Sequence, residues 1–126
     1  MPSRYRDALM EQCGGKLVVT RSHAGCAVVF PKPAWDEFAK RMQDWPISME
    51  GWRRIYMGSA EPVEMDASGR FLITPELRAK TKLNGKVLMK GLGHFFEIWE
   101  PSLEASAEEK LVSAGMSEDV AKEIKF

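Results

Sequence analysis

The sequence contains the same order of local signals twice, and this repetition constrains the fold more than any other feature. Each copy has a proline, a short helix, a Gly-Lys pair, two apolar strands joined by a turn, and a second proline that opens another helix. The copies run from Pro2 to Pro33 and from Pro75 to Pro101, with an offset of 68 to 73 residues. Any α+β chain also shows helix–hairpin–helix runs, so a chance likeness is the alternative to duplication.

Hydrophobic patterns place the elements of the first half. They predict a helix at residues 3–12 and two hairpin strands at residues 16–21 and 26–30. A helix opening at Pro33 is indicated by one apolar stripe, made of Trp35, Phe38, Ala39, Met42 and Trp45. A further helix after Ser48 would carry Trp52, Ile55 and Tyr56 on one side.

The second half begins with a strand–turn–strand arm. Strands are predicted at residues 63–65 and 70–74, and the turn between them uses Gly69 for a positive φ and Asp66 to bind nearby amides. A helix then opens at Pro75, and strands are predicted at residues 86–90 and 95–99. In the last helix, which follows Pro101, the residues expected to point inward are Leu103, Ala107, Leu111 and Val112.

Interleaving the two hairpins would bury both apolar faces and remove exposed strand edges. We therefore predict an α+β, mainly β, fold: a duplicated swapped-hairpin β-barrel with flanking helices. The predicted units are residues 1–45 (first repeat), 46–60 (helical connector), 61–104 (second repeat) and 105–126 (C-terminal helix and tail). The first repeat has no counterpart of the arm at residues 63–74. We expect either a start 10–20 residues earlier or the loss of that arm.

Charge is unevenly distributed in a chain whose formal net charge is zero. Residues 1–96 contain 15 Lys and Arg against 10 Asp and Glu, whereas residues 97–126 contain 3 against 8. A basic body with an acidic end is compatible with a nucleic-acid surface, although proteins that bind nothing charged show similar segregation.

Other functional classes find little support in the sequence. The N-terminus lacks the apolar segment of a signal peptide, and no apolar run approaches the ~20 residues of a membrane span. The only Cys and His residues, Cys13, Cys26, His23 and His94, have no zinc-site spacing. We predict no metal, no cofactor and no enzymatic activity, in a cytoplasmic setting.

The stretch Asp66-Ala-Ser-Gly-Arg-Phe-Leu-Ile-Thr-Pro75 resembles the Asp-x-x-x-Arg motif of the MraZ family, which is related to the AbrB-like (SpoVT-AbrB) swapped-hairpin transcription factors. Further matches, in the same order as in the family, are Pro2-Ser-Arg-Tyr-Arg6, Phe30-Pro31 with Trp35, Arg53-Arg54, and Phe95-Phe-Glu-Ile-Trp-Glu100. The resemblance covers nearly the whole chain. Its departure is the absence of a first Asp-x-x-x-Arg arm before Pro2.

The resemblance implies a DNA-binding transcriptional regulator of the bacterial division and cell wall gene cluster, with repression the expected direction of control. Such a protein would bind direct repeats of double-stranded promoter DNA as a ring-shaped homo-oligomer associated with the nucleoid. An oligomeric protein-interaction module, antitoxin-like or a scaffold, is the alternative, with residues 97–126 as its contact surface.

Basic residues around the motif are the candidate DNA contacts: Arg70, Arg78, Lys80, Lys82, Lys86, Lys90, Arg4 and Arg6. Each could instead belong to an ordinary solvated face. Asp66, Gly69 and Pro75 are expected to be structural, and Arg70 either reaches DNA or pairs with Asp66. Arg53 and Arg54 could contact DNA or the acidic residues of a neighbouring subunit.

Overall fold

The computed structural model describes the backbone of residues 3–125 and the side chains of residues 5–125. Six helices are described: α1 (Ser3–Cys13), α2 (Lys32–Gln43), α3 (Glu50–Gly58), α4 (Pro75–Thr81), α5 (Pro101–Ala114) and α6 (Glu118–Ala121). A single 3-10 turn, Ile47–Met49, precedes α3. The strands are β1 (Lys16–Arg21), β2 (Ala27–Pro31), β3 (Glu61–Glu64), β4 (Leu88–Gly91) and β5 (Phe96–Trp99). None of the helices within this range is long and apolar enough to cross a bilayer.

All five strands form one antiparallel sheet in the order β3-β1-β2-β5-β4. The two predicted hairpins, β1–β2 and β4–β5, meet in its middle, where Val28 lies opposite Glu97. The predicted α+β class is therefore confirmed. The arm strand β3 pairs with β1 of the first half, Leu17 lying opposite Val63.

The closed barrel was a wrong prediction. β3 and β4 form opposite edges of the sheet and do not pair with each other. Residues 70–74, expected to be a strand, belong to no strand. Phe71 and Ile73 still pack against the core, while Leu72 is exposed. Closure requires a continuous ladder of strand pairs, which the described residues do not supply between the two edges.

Alternation along β1 and β2 sends successive side chains to opposite faces of the sheet, and both faces are covered. One face packs Leu17, Val19 and Val29 against residues from α1 and α4. The other packs Val18, Val28 and Phe30 against α2 and α3, where Trp35 and Met42 of the predicted apolar stripe are buried. The predicted helix is thus confirmed from Trp35 to Met42, but Trp45 lies beyond its end at Gln43. Trp52 of α3 remains 47% exposed.

A close backbone approach explains the Gly-Lys signal of the first repeat. Gly15 has φ +79°, and a Cβ at this position would lie 2.6 Å from the carbonyl oxygen of Met65. The backbone N–H of Met65 donates to the carbonyl of Gly15 over 2.8 Å. Only glycine allows this contact without displacement of the chain, and the contact anchors the turn that follows Met65.

The inward orientation predicted for Leu103, Ala107, Leu111 and Val112 of α5 was also wrong, because all four side chains are exposed. Leu111 and Val112 are 73% and 74% exposed. The helix is held at its N-terminal end, where the Glu100 carboxylate caps it and Lys90 of β4 binds Glu104. No described apolar surface faces its C-terminal half, so that end of the helix projects from the body.

Candidate nucleic-acid interface

Asp66 organises the turn that was predicted from the sequence at residues 66–69. Its Oδ1 accepts hydrogen bonds from the backbone N–H groups of Ser68 and Arg70, each over 2.9 Å. The backbone N–H of Asp66 donates to the carbonyl of Arg70 over 2.8 Å, and that of Gly69 donates to the carbonyl of Asp66 over 2.9 Å. Gly69 has φ +83°, a conformation that favours glycine. These bonds confirm the predicted turn at residues 66–69.

The side chain of Arg70 extends from this turn and is 80% exposed. Its Nε donates to Oδ2 of Asp66 over 3.0 Å. The hydrogen bonds that Asp66 accepts from the backbone and side chain of Arg70 hold the pKa of the carboxyl below its ordinary value, so it stays ionised. Within the described part of the chain, the Nη atoms of Arg70 have no protein partner. The same residue therefore pairs with Asp66 and presents free donors.

Arg6 joins this turn from a distant part of the sequence. Its Nη1 donates to the carbonyl oxygen of Ser68 over 3.3 Å, and its Nε lies 3.6 Å from Oδ1 of Asp7. The structure therefore brings Arg6 of α1 next to the turn that carries Arg70. Arg4 also belongs to α1, but its side chain lies outside the described residues.

A second basic group lies on and after α4. Pro75 is in the first turn of this helix, and Thr74 caps it by accepting from the N–H of Leu77 over 3.3 Å. Arg78 lies on α4 and Lys82 follows its last residue as the C-cap, and both are exposed, as is Lys86. Arg78 contributes to the wall of a cleft of about 340 Å³. Lys80 is ion-paired with Glu76 of the preceding turn over 3.3 Å.

Lys90 differs from the other candidates because its ammonium group is bound to α5. It donates a hydrogen bond to Glu104 and lies 3.8 Å from Glu108. The hydrogen bond to Glu104 raises the pKa of Lys90 and lowers that of Glu104. The structure thus places Arg6 beside the Asp66 turn, Arg78 on α4 and Lys82 at its C-terminal end. Lys86 lies in the exposed segment before β4, and Lys90 anchors α5.

The sequence interpretation missed one contact that fixes the segment between the turn and α4. The hydroxyl of Thr74 donates to the carboxylate of Glu61 in β3, over 2.7 Å to Oε2. A threonine before a proline at the start of a helix predicts that Thr74 caps α4. No pattern in the sequence predicts that Thr74 also binds Glu61, thirteen residues earlier.

His23 and Cys26 have structural contacts. The ring Nδ1 of His23 lies 2.6 Å from the hydroxyl of Tyr56. Cys26 is buried, and burial is the main cause that raises its pKa to about 11, so the thiol is protonated at neutral pH. Among the described residues no three His, Cys, Asp or Glu side chains are grouped to hold a metal ion.

Comparison with known proteins gives one consistent answer. Residues 55–126 match the family model described as "MraZ protein, putative antitoxin-like". The whole chain is 41% identical to the Transcriptional regulator MraZ of Herminiimonas arsenicoxydans and 41% identical to that of Janthinobacterium sp. (strain Marseille), covering 88% of each relative. It is 40% identical to the protein of the same name from Acidovorax sp. (strain JS42), again over 88% of that relative. With such identity over its full length, and with the Asp66–Arg70 turn formed as the motif predicted, this chain belongs to the MraZ family.

Proposed function

We propose that this chain is a sequence-specific DNA-binding transcriptional regulator of the division and cell wall gene cluster. It binds direct repeats in promoter DNA as a homo-oligomeric ring and acts at the nucleoid in the cytoplasm. Family membership supports the regulatory role. The observation that carries DNA binding is the exposed guanidinium of Arg70, oriented through Nε by Asp66 at the tip of an ordered turn.

This arrangement suits the recognition of a base edge. A guanidinium whose Nε is already bound retains its two Nη groups as a planar fork, which matches O6 and N7 of guanine or two phosphate oxygens. Because Asp66 restrains the side chain before DNA arrives, less conformational freedom is lost on binding. A lysine at this position would keep the charge but lose the fork.

The remaining basic residues would contact phosphates. Arg78, Lys82 and Lys86 carry no ion pair among the described residues, so their charge is available to a duplex, and Arg6 adds a cation beside the turn. Arg4 is proposed with them from its position in α1. Lys80 and Lys90 contribute less, because Glu76 and Glu104 compensate their charge.

Sequence duplication is part of the proposal. The two hairpins meet in antiparallel pairing of β2 with β5, and each is preceded by a short helix, α1 or α4, and followed by another, α2 or α5. Two copies related by a local two-fold axis would produce this order. Several copies of a weak DNA-binding surface in a ring would engage several repeats together, and linkage would raise the overall affinity.

Binding of a labelled duplex that carries the direct repeats of the chain's own promoter, compared with a shuffled duplex, tests this proposal. We expect affinity to fall steeply with salt between about 50 and 200 mM. Arg70→Ala should weaken binding to the repeat duplex about 5- to 150-fold and reduce the ratio of its affinity for the repeat duplex to that for the shuffled duplex. Arg70→Lys should not restore the wild-type affinity for the repeat duplex. Lys40→Ala, at an exposed cation on α2, is the matched control. Equal binding of both duplexes by the wild-type chain and by Arg70→Ala would overturn the proposal.

The second candidate is a protein-interaction module. It is favoured by the exposed apolar residues near the C-terminus and by the antitoxin-like wording of the family description. A stoichiometric complex with another protein, formed without nucleic acid and lost when residues 101–126 are deleted, would support this alternative.

A further inference from the structure

An Asn-Gly pair lies between α4 and β4, beside several exposed cations. Asn84 is the single asparagine of the chain, and Gly85 follows it. Both residues are exposed, and neither belongs to a helix or a strand. Together with Arg78 they line the cleft of about 340 Å³. An asparagine followed by glycine is prone to lose its side-chain amide, because the residue after it has no side chain to hinder ring closure.

The glycine of this pair has a different environment from the glycine at the similar position of the first sequence copy. Gly14-Gly15-Lys16 precedes β1 as Asn84-Gly85-Lys86 precedes β4. A Cβ at Gly15 would lie 2.6 Å from the carbonyl oxygen of Met65, whereas a Cβ at Gly85 would meet no atom within 4 Å. The fold therefore packs closely around the first glycine and leaves open space around the second.

The structure leaves the two groups that would react without hydrogen bonds. Deamidation would begin with attack of the backbone nitrogen of Gly85 on the side-chain carbonyl carbon of Asn84. Within the described part of the chain, that N–H donates to no acceptor and the Asn84 side chain forms no hydrogen bond. The N–H of Leu83 closes α4 by donating to the carbonyl oxygen of Arg78 over 2.9 Å, and the ladder of β4 begins at Leu88. The hydrogen bonds of the two elements therefore do not reach the pair.

Positive charge surrounds the pair. Lys82 and Lys86 lie two residues before and two residues after Asn84, and Arg78 shares its cleft. We call Arg78, Lys82 and Lys86 the α4 cations; all three are exposed, and none has an ion pair among the described residues. The attacking species is the anion that Gly85 forms when its N–H loses a proton, and neighbouring cations stabilise an anion. Charge of this sign therefore favours ring closure.

We propose that Asn84 is a site of spontaneous deamidation, and that the product weakens DNA binding by the α4 cations. The nitrogen of Gly85 gives its proton to solvent and bonds to Cγ of Asn84, while the Cγ–Nδ2 bond breaks and Nδ2 takes up a proton and leaves as ammonia. Water then opens the succinimide ring at either carbonyl, which gives aspartate or isoaspartate. Each product carries a carboxylate where the amide was neutral. The effect on DNA rests on the proposed function, whereas the reaction does not.

Peptide mapping by mass spectrometry measures the reaction during incubation of the full chain at neutral pH. Cleavage after glutamate isolates residues 77–97, in which Asn84 has the only amide side chain. We expect the native chain to yield both aspartate and isoaspartate at this position, at least as fast as the chain unfolded in urea. Asn84→Gln should show no conversion over the same period, because its longer side chain would have to close a larger ring that forms more slowly.

Two charge variants test the contribution of the cations to the rate. Lys82→Met with Lys86→Met removes the two charges nearest the pair in sequence and should slow conversion about 2- to 5-fold, the range expected for exposed charges. Lys40→Met with Lys110→Met removes two exposed cations that have no ion pair in the described chain, and it should leave the rate unchanged. All four positions are exposed, so the fold should be retained, as far-UV circular dichroism of each variant would verify.

DNA titration tests the effect of the product. Asn84→Asp carries the charge of the aspartate product in a homogeneous sample. We expect it to bind the repeat duplex about 2- to 5-fold more weakly than the wild-type chain, with a smaller difference at higher salt. Gln43→Glu adds a carboxylate at an exposed amide of α2 and should bind as the wild-type chain does. Incubated wild-type protein should lose affinity in step with its conversion, whereas incubated Asn84→Gln should not.

Each part of the proposal has its own contrary result. Slower conversion of the native chain than of the unfolded chain, or an unchanged rate in Lys82→Met with Lys86→Met, would overturn the assignment of Asn84. Wild-type affinity in Asn84→Asp would overturn the effect on DNA. If the wild-type chain itself binds no repeat duplex, the proposed function and the effect on DNA both fail, while peptide mapping still decides the reaction.

Discussion

The carboxylate of Asp66 holds both ends of Arg70: Oδ1 accepts from its backbone N–H over 2.9 Å, and Oδ2 accepts from its Nε over 3.0 Å. One acidic side chain therefore shapes the turn and orients the guanidinium proposed to reach DNA. The two functions of the carboxylate can be separated by substitution, since one needs an acceptor and the other needs a charge.

Replacing Asp66 with asparagine or alanine should separate these functions. Asp66→Asn keeps an oxygen that can accept from Ser68 and Arg70, so the turn should persist while the ion pair is lost. Asp66→Ala removes both. We expect Asp66→Asn to lower affinity for repeat DNA with a small change in Tm, and Asp66→Ala to lower both. Thermal unfolding and duplex titration of the same samples measure the two effects. An equal loss of Tm in both variants would show that the charge, not the acceptor, forms the turn.

The hydrogen bonds that Asp66 accepts from the backbone and side chain of Arg70, together with their ion pair, also predict a pH dependence. The folded-state pKa of Asp66 is depressed below its ordinary 3.8, so its ionised form stabilises the fold. That contribution is fully present above pH 3.8 and is lost as the pH falls through the lower, folded-state pKa. The difference in Tm between the wild-type chain and Asp66→Asn should thus shrink as the pH is lowered from 6 to 3. A constant difference across this range would contradict the assignment.

Thr20 supplies a buried link between the sheet and α3. Its hydroxyl donates to the carbonyl oxygen of Tyr56 over 2.7 Å, and the residue is fully buried. Thr20→Val keeps the shape but leaves that carbonyl without a partner, which should cost about 1–3 kcal/mol of unfolding free energy. Thr20→Ser, which retains the hydroxyl, is the control for this bond. Urea denaturation measures both, and a Val variant as stable as wild type would show that the bond contributes nothing.

Lys90 should act as an anchor of α5 more than as a DNA contact. Lys90→Met removes the ion pairs with Glu104 and Glu108, so amide hydrogen exchange in residues 101–108 should accelerate. The exchanged pair Lys90→Glu with Glu104→Lys should restore part of the protection. DNA affinity of Lys90→Met should fall less than that of Arg78→Ala, which removes an exposed and uncompensated cation. The reverse order of affinities would place Lys90 in the DNA interface.

The two cysteines should differ in reactivity. Burial raises the pKa of the Cys26 thiol to about 11, whereas Cys13 is only half-buried. Because the thiolate is the reactive form, native protein at pH 8 should alkylate at Cys13 and not at Cys26. Mass spectrometry after a short iodoacetamide pulse measures this, with protein unfolded in urea as the control. Labelling of Cys26 in the native protein at the same rate as Cys13 would show that the core beneath α2 often opens and exposes Cys26 to solvent.

Features read from short stretches of sequence were confirmed by the structure. The stripe from Trp35 to Met42 forms α2, and Asp66 with Gly69 forms the turn, because helical period and turn chemistry act over a few residues. The motif also led to the family. The assignment of Arg70 and the other cations to DNA contacts stays a prediction, as do the boundaries of the predicted units.

Features that depend on distant partners were predicted less well. Residues 70–74 have the composition of a strand, yet a strand exists only where another strand supplies ladder hydrogen bonds. Thr74, the last of these residues, instead binds Glu61, and no local sequence pattern predicts this contact. Leu111 and Val112 have helical spacing, but burial requires an opposing surface, and the helix leaves the body before it meets one.

The sequence by itself determined most of the helices and strands in their order, the turn at Asp66, the opposite net charges of residues 1–96 and 97–126, and the family. Tertiary structure decided that the sheet stays open, that Arg6 joins the Arg70 turn, that Lys90 is bound to α5, and that the C-terminal half of α5 stays exposed. The division has a physical reason. Periodicity and turn propensity are set by neighbours in sequence, whereas strand pairing, ion pairing and burial depend on which distant residues folding brings within a few ångströms.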